Sequence, residues 1–140
     1  MILITAIDER GGLTFQHRRQ SQDRILRERI LALCGEQPLW VNAYTAKQFP
    51  PEQASQLRIA EDFLQQAGEG ECCFLEDIPA APYCDRIEQV ILFRWNRRYP
   101  ADFYFDITLT APGWTLCQTE DFPGYSHEKI TMEVYRHETL

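Results

Sequence analysis

At 140 residues and 16.4 kDa the chain has room for one compact core and is too short for two, so a single domain over residues 1–140 is expected. Apolar residues at 44% and charged residues at 25% are globular values, which excludes a disordered tail or a fibrous repeat. The 21 acidic residues against 14 basic ones give a formal charge of −7, which argues against a general binder of nucleic-acid polymers or of anionic membranes.

The first element expected is a strand over residues 2–7, a nearly unbroken apolar run of the kind that is covered on both faces. Asp8, Glu9 and Arg10 end it too early for a signal peptide or a membrane span, and Gly11-Gly12 opens a loop. From Ser21 the spacing turns helical: Ile25, Leu26, Ile30 and Leu33 share one face and Arg24, Arg27, Glu28 and Arg29 the other. Ser21 is the expected N-cap, with Asp23 in the first turn and Gly35 at the end.

Leu39-Trp40-Val41 then reads as a second buried strand, and residues 43–49 as a helical turn stopped by Pro50-Pro51. Leu57–Ile59 is a short strand, residues 61–67 a short helix ending at Gly68, and Cys72–Leu75 a further strand. Gln89–Trp95 is again doubly covered, and Pro79 and Pro82 limit any helix before it to about a turn. In the last third, Phe103–Phe105, Trp114–Leu116 and Thr131–Tyr135 alternate or are rich in aromatics, with no helix between them. The sum is a three-layer α/β fold with a mixed, mostly parallel sheet of about six to seven strands and an antiparallel C-terminal strand.

The five cysteines, 34, 72, 73, 84 and 117, form no C-x-x-C pair, so reduced thiols and a cytoplasmic location are expected rather than a disulfide framework or a zinc knuckle. The histidines lack metal-site spacing, and no H-x-H-x-D-H motif is present.

In this order the elements and their marker residues resemble the dihydrofolate reductase family. Met1–Gly12 is similar to the first strand running into the substrate loop. Gln20-Ser21-Gln22-Asp23 stands where that family starts its first helix with Leu-Pro-x-Asp/Glu, and Leu39–Phe49 resembles its second strand and following helix. The most similar stretch is Ile87–Tyr135: a strand, Ala101-Asp102, the Phe-Tyr-Phe, the Trp-Thr-Leu and an acidic loop into the last strand. The chain is short for the family, chiefly after Phe49.

The resemblance implies a nicotinamide site that the residues do not complete. Where the family has a Gly-Gly turn against the pyrophosphate, this chain reads Leu75-Glu76-Asp77. Unit like charges about 4 Å apart cost about 4 kcal/mol at an effective dielectric of about 20, so conventional NADPH binding is expected to be lost. The family's Gly-Arg-x-Thr reads Asn42-Ala43-Tyr44-Thr45, without the arginine. No cofactor is therefore assigned.

Ligands of open α/β sheets bind outside the carboxyl ends of the parallel strands. The resemblance brings Arg18, Arg19, Gln20, Ser21, Asn42, Tyr44, Asn96 and Arg97 there as candidate ligand-binding residues, and Asp23, Glu76 and His127 as candidate catalytic ones. Arg18 and Arg19 offer bidentate donors for an anion or, equally, pair with surface acids. His127 suits general acid or base chemistry, and the bland reading is a polar turn. Asp23 suits holding a protonated ring nitrogen or acting as a base, and the bland reading is stabilisation of the helix dipole in the first turn. The expectation is a cytoplasmic binder of a small anionic, ring-bearing, nucleotide- or pterin-like ligand, with turnover left open. The alternatives are a reductase that takes NADPH or a flavin in an altered pose, and a non-catalytic interaction domain.

Overall fold

The structure is a computed structural model, and it describes residues 1–138. In chain order the elements are β1 (Ile2–Ile7), β2 (Gly12–Phe15), β3 (Arg18–Arg19), α1 (Arg24–Cys34), β4 (Leu39–Val41), α2 (Ala43–Ala46), β5 (Leu57–Ile59) and α3 (Phe63–Gln66). They continue with β6 (Cys72–Phe74), β7 (Gln89–Arg94), β8 (Phe103–Tyr104), β9 (Trp114–Phe122) and β10 (Ile130–His137). Tight 3-10 turns cover Pro51–Gln56 and Ala81–Arg86.

Seven strands form one sheet in the order β5-β4-β6-β1-β7-β10-β9. The first five are mutually parallel, and β10 and β9 add antiparallel to them. The central strands are largely apolar because successive side chains enter opposite cores, and the buried Thr5 of β1 is accommodated by donating to Leu75 O. Ile4, Phe74, Ile91 and Phe93 face the core under α1. Leu3, Cys73, Val90 and Leu92 face the core under α3 and the 81–86 turn.

Several local features depart from the expectations. A second sheet, β3-β2-β8, takes the Phe103-Tyr104 strand away from the main one. Its β2–β3 hairpin turns through Gln16 and His17, both at positive φ (50° and 64°), a type I′ turn without the Asn-Gly signal that usually marks one. The buried stripe of α1 is Leu26, Ile30 and Leu31, whereas Leu33 is 40% exposed.

The cap of α1 is Asp23 rather than Ser21. Asp23 is extended, and its Oδ1 accepts the amides of Ile25 (2.9 Å) and Leu26 (3.2 Å). Both residue types cap well, and the carboxylate wins because it also collects donors from a distant loop while the Ser21 hydroxyl is drawn to His127. Finally, β9 is nine residues long, so the stretch read as an acidic loop is the outer edge of the sheet.

Candidate functional site

The parallel strands deliver their C-terminal ends to one rim, and the start of antiparallel β10 arrives at the same place, with Thr131 opposite Arg94. Three buried carboxylates organise this rim.

The first is Asp23, whose side chain is fully enclosed. Its two oxygens accept from six donors: the amides of Ile25, Leu26, Tyr125 and Ser126, the Ser126 hydroxyl, and His127 Nδ1 at 2.9 Å. Burial pushes the Asp23 carboxyl up, but the amides of Tyr125, Ser126 and Leu26 and the His127 bond outweigh it and hold the group well below the usual carboxylate range. The 123–127 loop closes on Asp23 because residue 124 is glycine: a Cβ there would lie 2.6 Å from Asp23 Oδ2. An ionised carboxylate only accepts, so His127 Nδ1 is the donor of this pair and Nε2 lies on the side of the ring away from Asp23. Nε2 meets Ser21 Oγ at 2.9 Å and the Tyr99 hydroxyl at 3.3 Å, while Trp95 stacks on the imidazole at 4.6 Å.

The second is Glu76, clamped by Arg19 through Nε (2.9 Å) and Nη2 (3.0 Å). Burial weakens the arginine's charge, yet the Glu76 carboxylate more than restores it and raises its pKa. Arg19 also lies over the Tyr44 ring at 4.3 Å, and its amide donates to the Tyr44 hydroxyl at 2.8 Å. The third is Asp8, fully buried, which accepts the amides of Arg10, Gly12 and Tyr99 and the Gln20 side chain. Desolvation pushes Asp8 up, and these four bonds bring it below its ordinary value.

Between α1 and the rim lies a cavity of about 10 Å³. Ala6, Leu26, Ile30, Phe74 and Trp95 give it an apolar lining, and Arg19, Gln20, Ser21, Arg27, Gln48 and Glu76 a polar one. Three of these polar residues hold buried atoms without a partner among the described residues: Gln20 Oε1, Arg27 Nε and Gln48 Nε2. Arg27 and Gln48 also line an outer groove of about 480 Å³, where Arg24 and Lys47 face Glu28 and Glu52.

The structure thus brings Arg19, Gln20, Ser21, Asp23, Tyr44, Glu76 and His127 together. Asn42 stands beside them as the cap of α2 and donates to Asp77 at 2.8 Å. The remaining candidates lie apart from the cavity. Arg18 is exposed on β3, and Asn96, at φ 58°, ties to Lys129 O and Thr131 Oγ1. Arg97 is exposed and contributes its carbonyl to Glu9.

Charge at the 76–77 turn is compensated by Arg19 and Asn42, so the like-charge cost expected there is smaller than two bare carboxylates imply. Asp8, Arg27, Gln48 and Gly124 were not singled out from the sequence. Asp8 carried a signal as the residue that ends the first apolar run, whereas the orphaned atoms of Arg27 and Gln48 arise only from tertiary packing. Among the described residues no three His, Cys, Asp or Glu side chains gather as a metal site, and no helix is long and apolar enough to cross a membrane.

No protein-family model matches the chain, and no curated protein matches it. Among solved structures, a dihydrofolate reductase from Enterococcus faecalis, complexed with NADP(H) and RAB-propyl, matches with a TM-score of 0.66. The match covers 98% of this chain and 96% of that one at 12% identity, a level at which the fold is shared and the residues largely are not. The arrangement of parallel strands with an antiparallel β10–β9 pair, together with this match, establishes that the chain has the dihydrofolate reductase-like fold.

Proposed function

We propose that the chain works as a single cytoplasmic domain that binds a small anionic, ring-bearing molecule, nucleotide- or pterin-like, at the C-terminal ends of the parallel strands. The observation that carries this reading is the convergence of Gln20 Oε1, Arg27 Nε and Gln48 Nε2, all buried and unpartnered, on side chains that line one cavity. Buried polar atoms are nearly always satisfied, and one acceptor beside two donors suits the edge of a nucleobase or pterin ring, which offers both kinds of group. Arg24, Arg27 and Lys47 in the outer groove supply cations for the anionic part.

A cavity of about 10 Å³ holds one water, so a ring requires the β2–β3 hairpin to move outward. The hairpin is fastened there through Arg19, by its bonds to Glu76 and to Tyr44. A standard NADPH site is not part of the proposal, because Glu76 and Asp77 occupy the turn after β6 and side chains there keep a pyrophosphate off the backbone.

Isothermal titration with folate and with AMP, two ring-bearing anions, tests the reading. Micromolar binding of at least one is expected, weakened by about tenfold in Arg27→Ala for each 1.4 kcal/mol of contact removed. Absence of heat from both overturns it. NADPH and FMN belong in the same series, since micromolar binding of either favours a reductase with an altered cofactor pose.

A further inference from the structure

Ser21, His127 and Asp23 stand in a line: Ser21 Oγ is 2.9 Å from His127 Nε2, and His127 Nδ1 is 2.9 Å from Asp23 Oδ2. Asp23 accepts from Nδ1, so in the neutral imidazole Nε2 is the acceptor and the Ser21 hydroxyl donates to it. The imidazole is 6% exposed and stacked on Trp95, which limits it to this orientation. A hydroxyl on a base that is itself oriented by a buried carboxylate is the arrangement that activates a serine nucleophile.

A second, independent feature belongs to the same place. Ser21 lines the small cavity together with Arg27 and Gln48, whose Nε and Nε2 donors have no protein partner. Unpartnered N–H groups lining the same cavity as a nucleophile are available to a developing oxyanion.

We propose that Ser21 is a nucleophile toward carboxylic esters, with His127 as the general base and acid, Asp23 as the positioning residue, and Arg27 and Gln48 as donors to the oxyanion. Ser21 Oγ bonds to the carbonyl carbon as its proton passes to Nε2 and the carbonyl π pair moves onto oxygen. The pair then returns, the bond from carbon to the leaving alkoxide oxygen breaks, and Nε2–H protonates the departing alcohol. Water repeats the sequence on the acyl-serine, releasing the acid and restoring the hydroxyl. Ester and water become acid and alcohol, with no change in oxidation state. This goes beyond the binding reading, and it shares with it the cavity, the Arg27 and Gln48 donors and the outward movement of the β2–β3 hairpin that admits an acyl group.

The test is covalent labelling of the whole chain with an alkyl fluorophosphonate, followed by intact mass and peptide mapping. One adduct, on Ser21, is expected; Ser21→Ala abolishes it, and Ser55→Ala, on the exposed 51–56 turn, keeps it. His127→Gln slows labelling by about 100-fold or more, as loss of a general base does. Gln48→Ala slows it by about 100-fold, as loss of one oxyanion donor does. Asp23→Asn lowers the maximal labelling rate while the half-saturating probe concentration stays the same.

A folded wild-type chain without an adduct on Ser21 overturns the proposal. So does a Ser21 adduct whose rate is unchanged in both His127→Gln and Gln48→Ala. The probe carries neither ring nor anionic tail, so failure here leaves the binding reading standing, and silence from folate and AMP leaves this one.

Discussion

Asp23 and Glu76 are both buried carboxylates on the same rim, and they are held in opposite ways. Asp23 is bound mainly by backbone amides from two elements, the first turn of α1 and the 123–127 loop, with His127 as its one ionisable partner. Glu76 is held by a single long side chain, Arg19, from a two-residue strand. Amides fixed in the backbone cannot rotate away, whereas a guanidinium on a hairpin can. The Asp23 centre is therefore the rigid part of the rim and the Glu76 centre the part able to open.

Breaking the rigid centre should have the largest effect. Asp23→Ala leaves the amides of Tyr125 and Ser126 without their acceptor and takes the carboxylate from the buried His127 imidazole, and a loss of about 3–5 kcal/mol in denaturant unfolding is expected. Gly124→Ala drives a Cβ to 2.6 Å from Asp23 Oδ2 and 2.9 Å from Ile130 Cδ1, and about 1–3 kcal/mol of overpacking should appear in the same assay.

The pH dependence separates the two centres further. Folding holds the Asp23 carboxyl below its unfolded value, so its stabilisation is fully present above the ordinary carboxylate range and is lost as pH falls through and below about 4. Asp8 acts in the same direction. Thermal melts from pH 6 to pH 2 should therefore fall steeply for the wild type and less steeply for Asp23→Asn.

The movable centre should respond more weakly. A double-mutant cycle of Arg19→Ala and Glu76→Ala is expected to give a coupling of about 1 kcal/mol, because both side chains are largely but not wholly enclosed (17% and 9% exposed). The smallest effect belongs to a pair outside both centres. Arg29 and Glu120 meet at 2.8 Å with 28% and 43% of their side chains exposed, and Glu120→Ala should cost about 0.2–1 kcal/mol or less.

The same contrast explains what could be read from the sequence. β1, β4, β6 and β7 were legible as apolar runs because a core covers each of their two faces and favours apolar residues at most positions. β9 was legible only at its start: Gln118–Asp121 lie on an open edge where solvent imposes no apolar pattern. The β2–β3 hairpin was missed because Gln16 and His17 adopt positive φ without glycine, and nothing local announces that choice. The site divides likewise. Asp23 and His127, 104 residues apart, were brought to one rim by the resemblance in strand order, whereas the bond between them is set by the 123–127 loop packing on the first turn of α1. That Arg19 would be spent on Glu76, and that Arg27 and Gln48 would keep unpartnered donors, depends on side-chain packing with no counterpart in residue spacing.

The account turns on the state of one imidazole. A long-range ¹H–¹⁵N correlation spectrum of the histidine rings at neutral pH should show His127 with its proton fixed on Nδ1 and Nε2 shifted as a bare acceptor, apart from the exposed His17. A His127 protonated on Nε2 alone, or exchanging between tautomers, would contradict the Asp23 latch and the reading of the rim built on it.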